Sequence, residues 1–216
     1  MWLHTNAVRA TKITTRRAKG RPRSFDADKA LESAMRVFWK HGYEGATMPT
    51  LTAAMGINRP SLYAAFGNKE SLFRKALDRY LERPAAYFKH ALEQPKAVQV
   101  AEALLKGAID TYCNPRNPRG CLCIQGALAC SAESEAVRKD LISRRLAGEL
   151  QIRERFARAI AERDLPSDAD AADLARYVTA VMAGMSVQSA SGAHRSELER
   201  IARIAMHAWP GAKRAG

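Results

Sequence analysis

Four cysteines, at positions 113, 121, 123 and 130, are the side chains with the widest chemical options in this chain of 216 residues. A zinc site of four thiolates is disfavoured because the spacing contains no C-x₂-C pair and no histidine lies near in sequence. Arg116 and Arg119 would lower the pKa of Cys121 or Cys123. A redox switch that uses one of these thiols is therefore an alternative interpretation. Since no secretory signal is visible, the default interpretation is that these cysteines are reduced, small apolar side chains.

Residue arrangements typical of catalysis are not visible elsewhere in the sequence. We find no glycine-rich phosphate loop, no ordered nucleophile, histidine and acid, and no metal-binding helix motif. We therefore expect no enzymatic activity, no bound metal and no cofactor.

Basic residues form the second chemically informative group. Lys and Arg number 35 against 22 acidic residues, which gives a net charge of +13. Residues 1–84 hold 16 basic and 7 acidic residues, and residues 1–25 hold seven basic residues and no acid. This asymmetry indicates a polyanionic partner for the N-terminal part, and nucleic acid is the leading candidate. A solvated basic surface without a partner is the alternative.

The apolar pattern predicts a cytoplasmic protein without membrane contact. The longest apolar candidate, residues 177–187, is shorter than the roughly 18 to 20 residues that a membrane-spanning helix needs. Residues 1–15 also lack the apolar region of a secretory signal.

The elements that must position these residues are all predicted to be helices. Apolar residues at 30, 31, 34, 37 and 38 repeat as on one helix face and predict a first helix over 25–42, with Asp26 as N-cap and Gly42 as its left-handed stop. Thr47 and Asn58 are the predicted N-caps of two short helices, each with a proline in its first turn. A fourth helix is predicted over 69–83.

The remainder predicts longer helices separated by short joints. We place them at about 85–93, 97–113, 121–132, 135–163, 168–190 and 195–208. Because no alternating apolar pattern indicates a sheet, the predicted fold class is all-α. The predicted organisation is a basic arm over 1–24, a three-helix helix-turn-helix DNA-binding domain over 25–83, and a helical ligand-binding and dimerisation domain over 84–216.

The two short helices meet at Gly56, Ile57 and Asn58, which is typical of a helix-turn-helix. Leu51, Met55 and Leu62 can pack the pair together, so that the second helix can enter a DNA major groove. The outward-facing candidates on that helix are Arg59, Ser61, Tyr63, Ala64 and Ala65. Arg59 alone among them can make a bidentate contact to guanine, worth about 1–3 kcal/mol of discrimination.

Residues 47–72, TMPTLTAAMGINRPSLYAAFGNKESL, resemble the signature of the TetR/AcrR one-component transcriptional regulators. The matching elements are Thr47, the Gly56-Ile57 turn, the triplet Ser61-Leu62-Tyr63, Phe66, and Lys69-Glu70 followed by Leu72. The preceding 20–23 segment, GRPR, and the first helix fit the same family. The C-terminal half matches only in general layout.

The resemblance implies a homodimeric, ligand-responsive repressor that releases a palindromic double-stranded operator when a small molecule binds. It also implies phosphate contacts from Thr47, Tyr63 and Lys69, whereas Met48 departs from the Thr or Ser often found there. The alternative for Tyr63 is an aromatic side chain in the core, and the alternative for Lys69 is a solvated lysine. The full set of predicted DNA-binding residues is Arg21, Arg23, Thr47, Thr50, Asn58, Arg59, Pro60, Ser61, Tyr63, Ala64 and Lys69.

The C-terminal helices would serve the effector and the dimer. The 168–190 helix is apolar nearly all round and needs burial on several sides, as in an intermolecular four-helix bundle, with a purely internal core of one chain as the alternative. Predicted dimer residues are Val181, Met185, Leu198, Ile201 and Ala205. Predicted effector-binding residues are Tyr87, Phe88, Tyr112, Gln125, Phe156, Tyr177 and Met182, with plain core packing as the alternative for each.

Two other interpretations stay open at this point. One is a regulator that responds to redox state through its cysteines, and the other is a protein that binds nucleic acid without sequence preference. The sequence names neither the effector nor the operator.

Overall fold

The computed structural model describes residues 25–127 and 131–210, and all regular structure within these ranges is helical, as predicted. A short 3₁₀ turn, Ala132–Ser134, precedes the longest helix. The α-helices of the described ranges are α1 Ala27–Gly45, α2 Met48–Met55, α3 Arg59–Phe66, α4 Lys69–Glu82, α5 Tyr87–Leu92, α6 Ala97–Tyr112, α7 Leu122–Gln125, α8 Glu135–Ala161, α9 Ala171–Ala190 and α10 Arg195–His207.

Helices α1 to α4 form the head of the molecule, and aromatic side chains fasten α1 to α4. Phe38 contacts Phe73 edge to face with ring centroids 4.9 Å apart, and Trp39 meets Tyr80 in the same way at 4.7 Å. All four rings are buried. Edge-to-face pairs add stabilisation beyond their buried area, so this cluster fixes the platform on which α2 and α3 sit.

The predicted caps of the two short helices are confirmed. Thr47 Oγ1 accepts a hydrogen bond from the Thr50 backbone N at 3.3 Å, and Asn58 Oδ1 accepts one from the Ser61 N at 2.9 Å. Gly56 has φ 65° and ψ 30°, the left-handed conformation that glycine adopts without a steric penalty. These local preferences produce the tight joint between α2 and α3.

The first helix departs from its prediction at Gly42. This residue has the expected positive φ of 67°, but the helix resumes after a kink and continues to Gly45. A Cβ at Gly42 would lie 3.4 Å from the carbonyl oxygen of Gly126, so the glycine also permits close approach of a distant segment.

Helices α5 to α10 form the body. Helix α6 packs against α5, α9 and α10, and α8 packs against α9. Phe156 and Trp209, both buried, contact each other edge to face at 5.2 Å. The body core is therefore closed by Trp209, which follows α10, as well as by the long helices.

The predicted helix over 121–132 is wrong. Helix α7 spans only Leu122–Gln125, and Gly126 follows it as C-cap. The carbonyl oxygen of Gly126 accepts a hydrogen bond from the backbone N of Tyr43 in α1 at 2.7 Å. This stretch therefore makes a tertiary contact with the head in place of the continuous helix that its apolar pattern indicates.

Residues 120–126, called the bridge segment below, are hydrogen-bonded to both the head and the body. On the head side, Trp39 Nε1 donates to the Gly120 carbonyl oxygen at 3.1 Å. On the body side, the Cys121 N donates to Ser186 Oγ of α9 at 2.9 Å, and Gln125 Nε2 donates to the Ser186 carbonyl oxygen at 3.3 Å. A displacement of this segment must therefore change hydrogen bonds in both the head and the body.

The packing of α1 on α4 gives a stability prediction. Phe38→Ala should lower the free energy of unfolding by about 3–5 kcal/mol, because it leaves a cavity beneath Phe73 and Tyr43. Chemical denaturation followed by circular dichroism measures the loss. Tyr63→Ala is the control: this ring is 51% exposed, and its removal should change stability by less than about 0.5 kcal/mol. Equal losses in the two variants would contradict the assignment of the head core.

Candidate functional site

Helix α3 exposes several of the residues that the sequence predicts to contact DNA. Arg59, Pro60, Tyr63 and Ala64 are exposed, and Ser61 is half-buried. Within the part of the chain that the structure describes, the Arg59 guanidinium has no hydrogen bond or ion pair. Its donors are therefore available to an external acceptor.

Ala65 does not share this exposed face. It is half-buried and packs against the core of the head, next to the buried Leu62 and Phe66 that hold α3 in place. The expectation that it faces outward is wrong, because the helical period turns it away from Arg59 and Tyr63.

The start of α2 offers a second group of exposed polar atoms. Thr47 and Thr50 are both exposed, and their hydroxyl oxygens lie 2.8 Å apart. The first N–H groups of a helix have no partner within the helix and carry partial positive charge, which suits a phosphate. Met48 lies at this end too, half-buried against the core.

Lys69 begins α4 and is positioned by α1. Its Nζ lies 4.4 Å from the centre of the Tyr43 ring, a cation–π contact. Burial lowers the pKa of Lys69, and the Glu44 carboxylate opposes this shift. Tyr43 carries no signal for this role in the sequence, because its ring meets Lys69 only in the folded chain, just after the non-helical Gly42.

Arg21, Arg23 and Asn58 are among the remaining predicted DNA contacts. Arg21 and Arg23, with the other basic residues of the 1–24 arm, lie outside the described residues. Asn58 is exposed, but its side-chain oxygen is already engaged as the cap of α3.

A cavity of 580 Å³ lies beneath the head, between the bridge segment and helices α4, α5, α6, α8 and α9. Four of the predicted effector residues line it: Tyr87, Phe88, Tyr112 and Met182. Its volume falls in the ordinary range of small-molecule sites. Lining residues that the sequence analysis did not name as effector contacts include Tyr80, Ile124, Arg144, Arg145 and Arg176.

The other three predicted effector residues do not line this cavity, and each has another role. Phe156 is buried against Trp209 in the body core. Tyr177 donates its hydroxyl hydrogen to the Ala205 carbonyl oxygen at 2.8 Å, which ties α9 to α10. Gln125 bonds Ser186 and occupies the space beside Gly120. These side chains satisfy internal contacts, which apolar or aromatic character alone does not distinguish from a ligand-facing position.

One end of the cavity carries a cluster of sulfur and hydroxyl groups. The Tyr80 hydroxyl donates to Cys121 Sγ at 3.2 Å, and the Tyr112 hydroxyl is hydrogen-bonded to both Tyr87 and Cys121. Burial raises the pKa of all three tyrosines, so each keeps its proton as a donor.

The two cysteines of this cluster have opposite shifts. A hydrogen bond from the Cys123 thiol, helped by the Tyr80 hydroxyl and by the backbone N–H groups of Ile124 and Cys123, lowers the pKa of Cys121 to about 6 against the opposing effect of burial. The same hydrogen bond, together with burial, raises the pKa of Cys123. Cys121 is therefore the more acidic thiol of the pair.

Charged residues connect the cavity wall to the head. Arg144 of α8 lines the cavity, donates to Asp78 of α4 at 2.7 Å and to Asp140 at 3.2 Å. Arg74 of α4 lies 3.6 Å from the other oxygen of Asp140. Helix α4 thus contacts the cavity wall through this ion network as well as through Tyr80.

The predicted dimer residues need correction. Met185, Leu198 and Ala205 are buried in the chain's own core, so they have no surface left for a partner. Val181 and Ile201 are half-buried. The large apolar side chains that α9 and α10 expose are Val187, at 47%, and Ile204, at 68%.

Within residues 25–127 and 131–210, no helix is both long and apolar enough to cross a bilayer. No group of three or more His, Cys, Asp or Glu side chains within these ranges could hold a metal ion.

A helix-turn-helix head on a helical body with a cavity defines the class of helical DNA-binding regulators. Residues 30–76 match the profile of the bacterial regulatory proteins of the tetR family, and residues 97–205 match that of the tetracyclin repressor-like C-terminal domain. The chain belongs to the TetR family of transcriptional regulators.

Individual relatives agree with this assignment. The HTH-type transcriptional repressor ComR of Escherichia coli K12 is 35% identical over 199 residues, which are 90% of this chain and 94% of ComR. A variant of the TetR family regulator CifR, complexed with 26-base-pair operator DNA, is 44% identical, with a TM-score of 0.84 over 88% of this chain and 100% of that one. A TetR regulator from Rhodococcus sp. RHA1 is 39% identical, with a TM-score of 0.57 over 86% of this chain and 100% of that one.

The position of Lys69 gives a prediction about salt dependence. If Lys69 contacts a phosphate, Lys69→Ala should weaken binding to all DNA sequences alike and should reduce the slope of log affinity against log salt by about 0.9 per protomer. Fluorescence anisotropy across a salt series measures the slope. Lys106→Ala is the control, since it removes the same charge from an exposed position on α6. An unchanged slope in Lys69→Ala would reject the phosphate contact.

Proposed function

We propose that this regulator is a homodimeric repressor that binds a palindromic operator and releases it when a small molecule occupies the cavity. Relatives that carry the name repressor, ComR among them, support the sign of regulation. The complex of the similar CifR chain with operator DNA supports the kind of target.

In this proposal α3 lies in the major groove and reads base edges. Arg59 faces guanine with two parallel hydrogen bonds, and the small Ala64 permits apolar contact with a thymine methyl group. Pro60 and Ser61 lie at the start of the helix, where the DNA backbone passes. The exposed Tyr63 adds a hydroxyl donor toward a phosphate.

The DNA backbone is held on either side of α3. The N-terminus of α2, with Thr47 and Thr50, meets one phosphate, and Lys69 meets another. Contacts of this kind fix the register of α3 on the duplex without carrying sequence information. The arm residues Arg21 and Arg23 would follow the backbone or enter the minor groove, as basic arms do in other helix-turn-helix proteins.

The dimer forms through α9 and α10 of two chains. Val187 and Ile204 supply apolar surface, and Ala180 and Gly184 are exposed small residues that allow a partner helix to approach closely. A two-fold axis through this surface would place two heads about 34 Å apart, one turn of DNA.

The observation that carries the release mechanism is the double attachment of the bridge segment. Cys121, Cys123 and Ile124 line the cavity, while neighbouring residues of the same segment are bonded to Trp39 and Tyr43 of the head. A ligand that fits only one arrangement of this segment shifts the position of the head, and the DNA affinity changes with it. The ion network from Arg144 to α4 gives the same displacement a second route.

The experiment that tests the proposal is selection of bound duplexes from a random library, followed by titration of the selected and a scrambled duplex. A specific regulator should bind the selected site about 10³–10⁷ times more tightly. The selected site should be an inverted repeat with half-sites about one helical turn apart. Equal affinity for both duplexes would favour the alternative of a protein that binds nucleic acid without sequence preference.

Arg59 provides the matching specificity prediction. Arg59→Ala should relax the preference at the guanine of each half-site, at a cost of about 1–3 kcal/mol per contact, while binding to scrambled DNA changes little. Titration of single-base operator variants measures the effect. An equal loss on operator and scrambled DNA would reject Arg59 as a base reader.

A further inference from the structure

The cavity contains a feature that reversible binding of an apolar molecule does not need. Its wall includes Cys121, whose sulfur accepts a hydrogen bond from the Tyr80 hydroxyl at 3.2 Å, and a second thiol, Cys123, lines the same wall. A hydroxyl donor favours the anionic form of sulfur and holds it in one position. The same thiol lies in the bridge segment, whose position couples the cavity to the head.

We propose that Cys121 is a covalent sensor whose thiolate captures α,β-unsaturated carbonyl compounds that enter the cavity. This proposal rests on the proposed function, since it names the class of effector for the same site. Cys121 lines the cavity, and so do the aromatic side chains of Tyr87 and Phe88. A largely apolar electrophile with a flat ring therefore suits this lining.

The titratable groups that face Cys121 support this role. Tyr80 from α4 and Tyr112 from α6 are buried, Tyr87 from α5 is half-buried, and all three keep their protons, while Cys123 from the bridge segment lowers the pKa of Cys121. From α8, Arg144 and Arg145 add positive charge at the cavity wall. None of these groups competes with Cys121 for the anionic form, and thiolates are the reactive state of cysteine.

The reaction balances without any oxidant. The sulfur of Cys121 forms a C–S bond to the β-carbon, the C=C π bond breaks, and its electron pair moves to the carbonyl oxygen. The hydroxyl of Tyr112 donates a hydrogen bond to the enolate oxygen and keeps its own proton. The enolate then takes a proton from water at its α-carbon, which replaces the proton that the thiol had released to solvent.

The adduct would displace the groups that now surround the sulfur. Tyr80 of α4 contacts Cys121 directly, and the Cys121 N–H is bonded to Ser186, a residue without solvent exposure. A substituent on the sulfur cannot occupy the place of the Tyr80 hydroxyl unless α4 or the bridge segment moves. Both elements belong to the attachment of the head, so modification should lower operator affinity.

Cinnamaldehyde is a suitable probe, and 3-phenylpropanal is its matched control because it has the same ring and aldehyde without the C=C bond. After exposure of the full-length protein to each, intact-mass spectrometry and peptide mapping locate any adduct. We expect one stable adduct per chain with cinnamaldehyde, on Cys121, and at least a tenfold loss of affinity for the selected operator. We expect neither effect with 3-phenylpropanal.

Variants separate Cys121 from the other thiols. Cys121→Ser should lose both the adduct and the response, whereas Cys113→Ser, at a half-buried position outside the cavity, should keep both. Peptide mapping of the unsubstituted protein keeps the test valid even if Cys121→Ser folds poorly. An adduct confined to another cysteine, or an adduct on Cys121 that leaves operator affinity unchanged, overturns the proposal.

The pH dependence of the reaction is a separate readout. The rate of adduct formation should rise through about pH 6 and level off above it, because the thiolate fraction of Cys121 saturates there. The rate for glutathione, an ordinary thiol, should still rise near its pKa of about 8.5. A profile for the protein that follows the glutathione profile would count against a preorganised thiolate.

These outcomes are independent of the proposed function. If the untreated protein does not distinguish the selected operator from scrambled DNA, the proposed function fails whatever happens at Cys121. If it does distinguish them, and 3-phenylpropanal releases the operator as well as cinnamaldehyde does, reversible effector binding holds and the covalent sensor is wrong.

Discussion

The attachment of the bridge segment to both halves of the chain is the constraint on which the rest of the structure depends. Seven residues, 120–126, receive the Trp39 indole N–H and the Tyr43 backbone N–H from the head. They are held from the other side by Ser186 of α9. Because buried polar groups pair almost without exception, these hydrogen bonds cannot be lost one at a time without cost. The segment must move with its partners, so it transmits displacements between the halves.

This constraint explains why the head and the cavity have such different chemistry. The head exposes α3 and the start of α2, whose polar groups are left to an external partner, while its aromatic core keeps α1 and α4 in fixed contact. The cavity lies on the other side of α4, where Tyr80 contributes its ring to that core and its hydroxyl to Cys121. A single side chain therefore belongs to the platform of the DNA interface and to the wall of the cavity.

The features that follow from local sequence preference could be predicted. Caps at Thr47 and Asn58, the left-handed Gly56 and the exposed face of α3 depend on residues only a few positions apart, and the family signature adds the likeness over 47–72. The helix over 121–132 could not be predicted correctly, since its interruption depends on Tyr43, about eighty residues away. The same limit applies to Phe156 and Met185, whose burial is decided by Trp209 and by the packing of α9.

For the cysteines, one part of the chemistry could be predicted from the sequence and another part could not. The sequence places Cys121 and Cys123 close together along the chain. It also indicates that Arg116 and Arg119 lower the pKa of one of these thiols. In the folded chain the lowering comes first from Cys123 itself and then from Tyr80, which the sequence places about forty residues away. Arg119 instead donates to the backbone carbonyl oxygen of Ala193 at 3.0 Å, and Arg116 lies in the loop before the bridge segment. The type of chemistry could be predicted, but the groups that cause it could not.

Hydrogen exchange of the backbone amides, measured with and without operator DNA, tests the central claim most directly. If the bridge segment couples the two halves, coupling must act in both directions. Operator binding should then slow exchange at Tyr43 and Cys121, whose amides bond Gly126 and Ser186, although the proposed DNA contacts include neither residue. Protection confined to α2, α3 and the start of α4 would contradict the account.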